Sequence, residues 1–447
     1  MKLAARQVLL HYNTPPRNMA WRLSNNIWRY PLASAILLFG LSAANAFGGF
    51  LQITFFGWCL SVAVTSRHQI PLPSVILATF CGLIALFASY HVEPSMAPFV
   101  KFVRPFFEGY LLAIALYKVC QIRTFRSLMI VLAGYVLLEF MSLSTMMIFP
   151  DIRLSFIDLW YSDEAYQQVA FQNALLFRGY GISRHHLFGL PLAMGTASIM
   201  LFVTGSLSSP RKWRIYFITA AFLGFLIILP NARIGLLPFI VCYALGASVF
   251  FDRYYFKQLA ILLLVFLPAI YLIAQAYLGD VSNFIAEWLL EGILQFVNPS
   301  DFADSNTFSD LSGMVVLPTD LSSWLFGDGK SCISGESCYT DIGWLRMLQE
   351  GGLFLLVAVT ILYMHAIFLM CSRFAFTGFK ADNKSIITSR RLLFFVLAIT
   401  FIGATIKGDS FGANDFSRLI MMLGVLSSLV NPKGSHQQIS HTRGDHG

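Results

Sequence analysis

Long apolar runs recur along almost the whole chain, and they constrain its fold more than any other feature of the sequence. Runs of about 18 residues or more are long enough to cross a bilayer as a helix. Only 12% of the 447 residues are charged, which is about half of the fraction that a soluble protein carries. Because a helix satisfies its own backbone hydrogen bonds in lipid, the pattern predicts an all-α, polytopic membrane protein.

About twelve of these runs are predicted as transmembrane helices. The predicted spans lie at about 31–47, 50–66, 72–90, 102–119, 127–149, 187–206, 215–230, 234–251, 258–278, 343–371, 391–407 and 416–431. They divide the chain into an N-terminal segment (1–30), a transmembrane domain (31–431) and a polar tail (432–447). An even number of spans puts both termini on the same side of the membrane.

The basic residues are unevenly distributed between the two sides of this predicted topology. With both termini in the cytoplasm, the cytoplasmic segments hold about two thirds of the 31 lysine and arginine residues, as the positive-inside rule requires. The net charge of +8 therefore reflects membrane topology and does not indicate nucleic-acid binding. Two outer loops, at about 150–186 and 279–342, are too long to be simple turns and are predicted to be functional.

The stretch FRGYGISRHHLFGLP concentrates positive charge in the first outer loop. Arg178, Arg184, His185 and His186 all precede the span that begins near Leu187. The positive-inside rule does not explain a basic cluster on this side. Arg184 is placed to snorkel to lipid headgroups, and the histidines are placed to lie at the interface. The alternative is a site for a phosphate group, because arginine binds phosphate oxygens in a bidentate geometry.

Further basic residues lie in or near spans on the same side. Arg233 is in a short outer hairpin, Arg346 is in the first turns of its span, and Lys407 ends the next span. Charges at such depths need a partner or a water-filled cavity. Arg346 is also spaced for an ion pair with Glu350, four residues later.

Three other charges near spans have simpler explanations or none. Lys101 and Arg104 open a span and suit a snorkelling flank. Glu139 lies alone inside a predicted span, and its role is left open.

The second outer loop contains the segment CISGESC. Cys332 and Cys338 lie close together on the oxidising side, where a disulfide is expected; two free thiols are the alternative. The sequence has no metal-ligand spacing, no phosphate-cradling glycine loop and no nucleotide fingerprint. We therefore expect no metal and no cofactor, and the absence of a nucleotide motif disfavours an ATP-driven pump.

Taken together, these segments resemble the Wzy-type O-antigen polymerases and the wider O-antigen ligase and polymerase superfamily. Arg178 and Gly189 fit the R-x10-G pattern of outer loops in such polymerases, and NARIGLL, around Arg233, is similar to the short Ser/Asn-x-Arg segment that opens a span. The stretch LFGDGKSCISGESCYTDIGWLRMLQEGGLFLLV resembles the end of the family's large outer loop. The predicted topology agrees over nearly the full chain.

Two departures from the family pattern stand out. Polymerases often carry a second R-x10-G in the large loop, but residues 280–329 contain no arginine. Lys330, Arg346 and Arg233 are alternatives for the missing charge. The related ligases usually carry a histidine where this chain has Thr340 and Asp341, which favours a polymerase over a ligase.

The resemblance implies an inner-membrane glycosyltransferase of lipopolysaccharide or polysaccharide biosynthesis, with the C-type glycosyltransferase arrangement of about twelve helices. It implies polymerisation of undecaprenyl-diphosphate-linked oligosaccharide repeat units at the periplasmic face. A chain-length regulator and a flippase are the expected protein partners, beside membrane lipids. The alternatives are a ligase that transfers the glycan to lipid A core, a transporter of lipid-linked sugar, and a polymerase of another glycan such as a capsule.

The resemblance also assigns roles to residues. The expected ligands of the diphosphate are Arg178, Arg184, Arg233, Arg346 and Lys407. Asp341 is the first candidate for the general base, His185 and His186 are the second, and Asp409 is the third. Gly189, Cys332 and Cys338 are expected to be structural.

Overall fold

The computed structural model describes most of the helical part of the chain and part of the outer loops. The described residues are 28–43, 49–65, 71–90, 96–160, 181–183, 188–208, 211–229, 231–246, 313, 315–329, 340, 342–374, 376–379, 383–406, 408, 411–412 and 414–430. Within these ranges the secondary structure is helical and contains no β-strand. This confirms the predicted all-α class for the described part of the chain.

The helices follow the apolar runs of the sequence. In chain order they are α1 (Arg29–Leu38), α2 (Gly49–Thr65), α3 (Leu72–Ser89), α4 (Ala97–Lys118), α5 (Phe125–Ile148), α6 (Pro150–Trp160), α7 (Gly189–Leu207), α8 (Arg211–Ile228), α9 (Leu237–Leu245), α10 (Leu321–Phe326), α11 (Gly343–Leu369), α12 (Asn383–Ala404) and α13 (Asp415–Leu429). A π turn extends α1 over Phe39–Ala43, another extends α11 over Met370–Phe374, and a 3₁₀ turn over Arg233–Leu236 leads into α9.

Five of the described helices are long and apolar enough to cross a membrane. They are α3, α5, α7, α11 with its π turn, and α12. Most other predicted spans coincide with shorter or more polar helices, and the span predicted at 258–278 lies outside the described residues. These helices are consistent with a membrane protein, and the count of twelve spans stays a prediction.

Two helices form the centre of the bundle. Helix α7 packs against α5, α8, α9 and α13, while α13 also packs against α4 and α11. Nearly all their side chains are buried. Small residues in α7, such as Gly195, Ala197 and Gly205, let neighbouring backbones approach closely, which stabilises helix packing in lipid.

The helix ends meet in two separate groups. At the first, which we call the Thr124 end, Arg126 N–H donates to Thr377 O at 3.2 Å and the Arg126 guanidinium lies 4.8 Å from the Trp213 ring centroid. At the second, the Gly189 end, the starts of α7 and α11 meet the end of α12. In the predicted topology, the helix ends of each group also lie on one side of the membrane, and the two groups lie on opposite sides.

Helix α11 is interrupted near its start. Gly352 has φ +68° and ψ −166°, which breaks the helix into a short first part and a long second part. The backbone N–H groups of Asp328 and Gly329 donate to Gln349 O at 2.8 and 3.1 Å. The break removes the usual helical donor to the Gln349 carbonyl, and the loop after α10 donates to that carbonyl instead.

Helix α10 is a short helix whose last residues, Leu325 and Phe326, lie against Gly352 at this break. Asp320 caps it by accepting the N–H of Ser323 at 2.8 Å and its hydroxyl at 2.9 Å. These hydrogen bonds hold the pKa of Asp320 below its usual range.

Candidate functional site

Most of the predicted site residues lie outside the described residues. These are Arg178, Arg184, His185, His186, Asp341, Lys407, Asp409, Cys332 and Cys338. The structure describes Gly189 and Arg346 in full, and it describes the backbone of Arg233. What it does show is how the described neighbours of these residues are arranged.

The start of α7 contacts the segment that follows α12. Phe188 lies two residues after the histidine pair in the sequence, and the next residue, Gly189, is buried at the first turn of α7. A Cβ atom on Gly408 would lie only 2.4 Å from the Phe188 ring. Gly408 stands between Lys407 and Asp409 in the sequence, so the two predicted segments are in contact.

The start of α11 contacts the same segment. A Cβ atom on Gly343 would lie 2.1 Å from Gly408 O, and the Trp344 N–H donates to Thr405 O at 3.3 Å. Gly343 follows Asp341 by two residues. The contact at Gly343 needs glycine, because any side chain there would displace the Gly408 backbone.

The 3₁₀ turn that begins at Arg233 packs on the first turns of α7. A Cβ on Gly235 would lie 2.5 Å from Pro191 O, and one on Gly195 would lie 2.2 Å from Gly235 O. The backbone of Arg233 is thus held close to the start of α7.

The structure therefore brings together the described flanks of four segments that the sequence analysis singled out. We call Phe188–Pro191, Arg233–Gly235, Ile342–Arg346 and Thr405–Gly408 the converging segments. Each lies within a few residues of a predicted cation or acid. Of the predicted cations, the structure describes the side chain of Arg346, which lies in the first turn of α11.

A buried charge network lies beside the converging segments, and the sequence analysis missed it. The guanidinium of Arg418 is almost completely buried and pairs with Glu108 through its Nε. Its Nη1 donates to Leu41 O at 2.9 Å and lies 3.9 Å from Asp415 Oδ1. Arg104 donates to Glu108 Oε1 at 2.8 Å.

The network continues from Asp415 to Glu139 through hydroxyl groups. Ser42 donates to Asp415 Oδ2 at 3.2 Å, and its hydroxyl lies 3.1 Å from the Tyr135 hydroxyl. Ser183 also hydrogen-bonds Asp415. Glu139, which had no assigned role, accepts the N–H of Ile182 at 3.3 Å.

The sequence did contain a signal for this network. Glu108, Arg418 and Asp415 each lie in or at the edge of an apolar run, where an unpaired charge is costly. This pattern indicates that each of the three charges has a partner, but it does not identify the partner. Glu108 and Arg418 are 310 residues apart, and only the packing of α4 on α13 brings them together.

The flanking cations of α4 are also paired. Lys101 Nζ lies 2.6 Å from Glu350 Oε1, at the break in α11. Arg104 pairs with Glu108 one turn later. These contacts replace the snorkelling explanation for Lys101 and Arg104, and they give Glu350 a partner on another helix.

Comparisons of the chain with family models, with curated proteins and with solved structures found no match.

Proposed function

We propose that this chain is a glycosyltransferase of the bacterial inner membrane that polymerises undecaprenyl-diphosphate-linked oligosaccharide repeat units into O-antigen or a related surface glycan. Its main support is the meeting of the converging segments at the Gly189 end. Those segments are neighbours in sequence of the residues that resemble the polymerase pattern. Five basic residues lie in these segments or in the Arg178–His186 cluster, namely Arg178, Arg184, Arg233, Arg346 and Lys407. Two acidic residues, Asp341 and Asp409, border the segments.

In the proposed reaction, a sugar hydroxyl of one lipid-linked repeat unit attacks the anomeric carbon of the growing glycan. A new glycosidic bond forms while the bond to undecaprenyl diphosphate breaks. The hydroxyl proton passes to a base, for which Asp341 is the first candidate and His185, His186 and Asp409 are the others. The diphosphate leaves with the bonding electrons.

The basic side chains have the complementary role. Arg178, Arg184, Arg233, Arg346 and Lys407 are the proposed ligands of the leaving diphosphate. Arginine stays charged at any physiological pH and donates two parallel hydrogen bonds to phosphate oxygens. Fixed donors of this kind lower the barrier when charge develops in a site from which water is excluded.

In this proposal the Gly189 end faces the periplasm and both termini are cytoplasmic, in line with the positive-inside rule. Lipid-linked repeat units would arrive from a flippase, and a chain-length regulator would act on the same assembly. The ligase alternative uses the same donor, but the segment with Thr340 and Asp341 lacks the histidine of the ligases.

The test is the banding pattern of lipopolysaccharide from a deletion strain. Loss of the gene should collapse the ladder to core plus one repeat unit, and the wild-type gene should restore the ladder. Arg178→Ala and Arg233→Ala variants should fail to restore it at normal expression levels. Arg123→Ala is the matched control, because Arg123 is an exposed arginine at the Thr124 end, and it should restore the ladder fully.

Other patterns would contradict the proposal in distinct ways. A core without any glycan would indicate a ligase or an upstream transporter. A full ladder with either arginine variant would remove that arginine from the diphosphate site. An unchanged ladder in the deletion strain would exclude O-antigen as the product.

A further inference from the structure

The segment between the basic residues of the first outer loop is attached to the bundle at three consecutive residues. Gly181 has φ +72°, and a Cβ there would lie 3.0 Å from Glu139 Oε2. The N–H of Ile182 donates to the same carboxylate oxygen at 3.3 Å. Ser183, which is fully buried, hydrogen-bonds Asp415. Two carboxylates from different helices therefore hold one short stretch of backbone.

Both carboxylates are completely buried. Glu139 belongs to α5 and Asp415 begins α13. Ser42 also donates to Asp415 Oδ2, and Arg418 Nη1 lies 3.9 Å from Asp415 Oδ1. Buried carboxylates in a membrane protein are costly and mark functional positions more often than structural ones. A carboxylate is also a stronger acceptor for a backbone N–H than a neutral group.

The attached segment lies between two arginines of the first outer loop. Gly181 follows Arg178 by three residues, and Ser183 directly precedes Arg184. The described stretch between the two arginines is therefore fixed against the bundle. A ligand site whose parts are already in place loses less entropy when the ligand binds.

We infer that Glu139 and Asp415 are positioning residues, which hold the Gly181–Ser183 segment so that the basic residues on either side of it bind the donor diphosphate. This inference rests on the proposed function. It adds two residues that do not touch the substrate and act only through the segment that they hold.

The first experiment measures the attachment itself and does not depend on activity. A cysteine is introduced by Ile182→Cys, and its rate of modification by a soluble maleimide is compared in the Glu139→Ala and Glu139→Gln backgrounds. Removing the acceptor should raise the rate by about tenfold, the size expected for loss of one charged hydrogen bond. The glutamine variant keeps an oxygen acceptor and should stay within about threefold of the parent.

The second experiment measures the donor KM and the kcat of the purified, reconstituted protein. Glu139→Ala and Asp415→Ala should raise the KM for lipid-linked donor by about tenfold while kcat falls less. Glu139→Gln should restore the KM toward that of the wild type. Leu132→Ala is the matched control, because Leu132 is buried in the same helix and its truncation should lower stability while the KM stays unchanged.

The outcomes separate this inference from the function on which it rests. If the wild type extends no glycan, the proposed function fails, while the labelling rates still decide whether Glu139 holds the segment. If the wild type is active but the alanine variants keep its KM and labelling rate, the positioning inference is overturned. Loss of activity in Glu139→Gln equal to that in Glu139→Ala would also overturn the positioning inference, because the hydrogen bond from Ile182 N–H needs only an oxygen acceptor at position 139.

Discussion

At the scale of single residues, the charge network around Arg418 is the feature that most limits substitution. Arg418 has 1% of its side chain exposed and meets Glu108, Asp415 and Leu41 O. Removing one partner of such a pair leaves a buried charge without compensation. Replacing both partners costs much less.

We therefore predict that Glu108→Ala and Arg418→Ala each lower the free energy of unfolding by about 3–5 kcal/mol. The free energy of unfolding of the double variant should fall by clearly less than the sum of the two single losses, because neither Glu108 nor Arg418 is then left without the other. Thermal unfolding in detergent measures both effects. The Lys101–Glu350 pair, with 27% of the lysine side chain exposed, serves as the comparison and should show weaker coupling. Additive losses at Glu108 and Arg418 would contradict the assigned pairing.

Sequence alone identified some of the residues whose type and position are unusual, but not their partners, and it did not single out Glu108, Asp415 or Arg418. The cluster around Arg178 stood out because the predicted topology puts it on the side that the positive-inside rule leaves poor in basic residues. Glu139 stood out as a lone acid in a span. Its contact with Ile182 depends on how a loop folds back onto α5, and a one-dimensional pattern contains no such information.

At the scale of elements, the break in α11 is fixed by glycine. Gly352 lies in the left-handed half of backbone space, and a Cβ there would lie 2.3 Å from the backbone of Leu325. The apolar pattern predicted one span at 343–371, because hydrophobicity continues through the break. The pair of glycines in QEGGLF was the available signal for an interruption.

Gly352→Ala should lower the free energy of unfolding by more than about 2 kcal/mol, from backbone strain together with the clash. Gly57→Ala is the matched control in α2, where an added Cβ meets nothing within 4 Å. That substitution should be neutral or stabilise the protein by up to about 1 kcal/mol. Equal effects of the two substitutions, measured by thermal unfolding, would argue against the break.

At the scale of the whole molecule, the alternation of helix direction follows from the sequence, and the mutual placement of the helices does not. Apolar runs predicted where most helices lie, since length and hydropathy are local properties. The central positions of α7 and α13 depend on close contacts such as that between Gly195 and Gly235. Small residues permit these contacts, but many other pairs of helices could make them.

The topology makes a prediction about accessibility from the two sides of the membrane. In a chain whose native cysteines are replaced, Lys212→Cys marks the Thr124 end and Leu321→Cys marks the loop before α11; both parent residues are exposed. An impermeant maleimide should label only Leu321→Cys in intact spheroplasts and both after lysis, because basic helix ends face the cytoplasm. Labelling of Lys212→Cys in intact spheroplasts would invert the topology and place the converging segments in the cytoplasm.

The most direct test of the central claim is the length of glycan made by the purified protein. The protein is reconstituted into liposomes with undecaprenyl-diphosphate-linked repeat units, and the products are separated by size. We expect glycans of two or more repeat units on the lipid carrier, together with release of undecaprenyl diphosphate, and loss of both with Arg178→Ala. Repeat units that cross the bilayer without being joined would instead identify a transporter, and repeat units joined only to added lipid A core would identify a ligase.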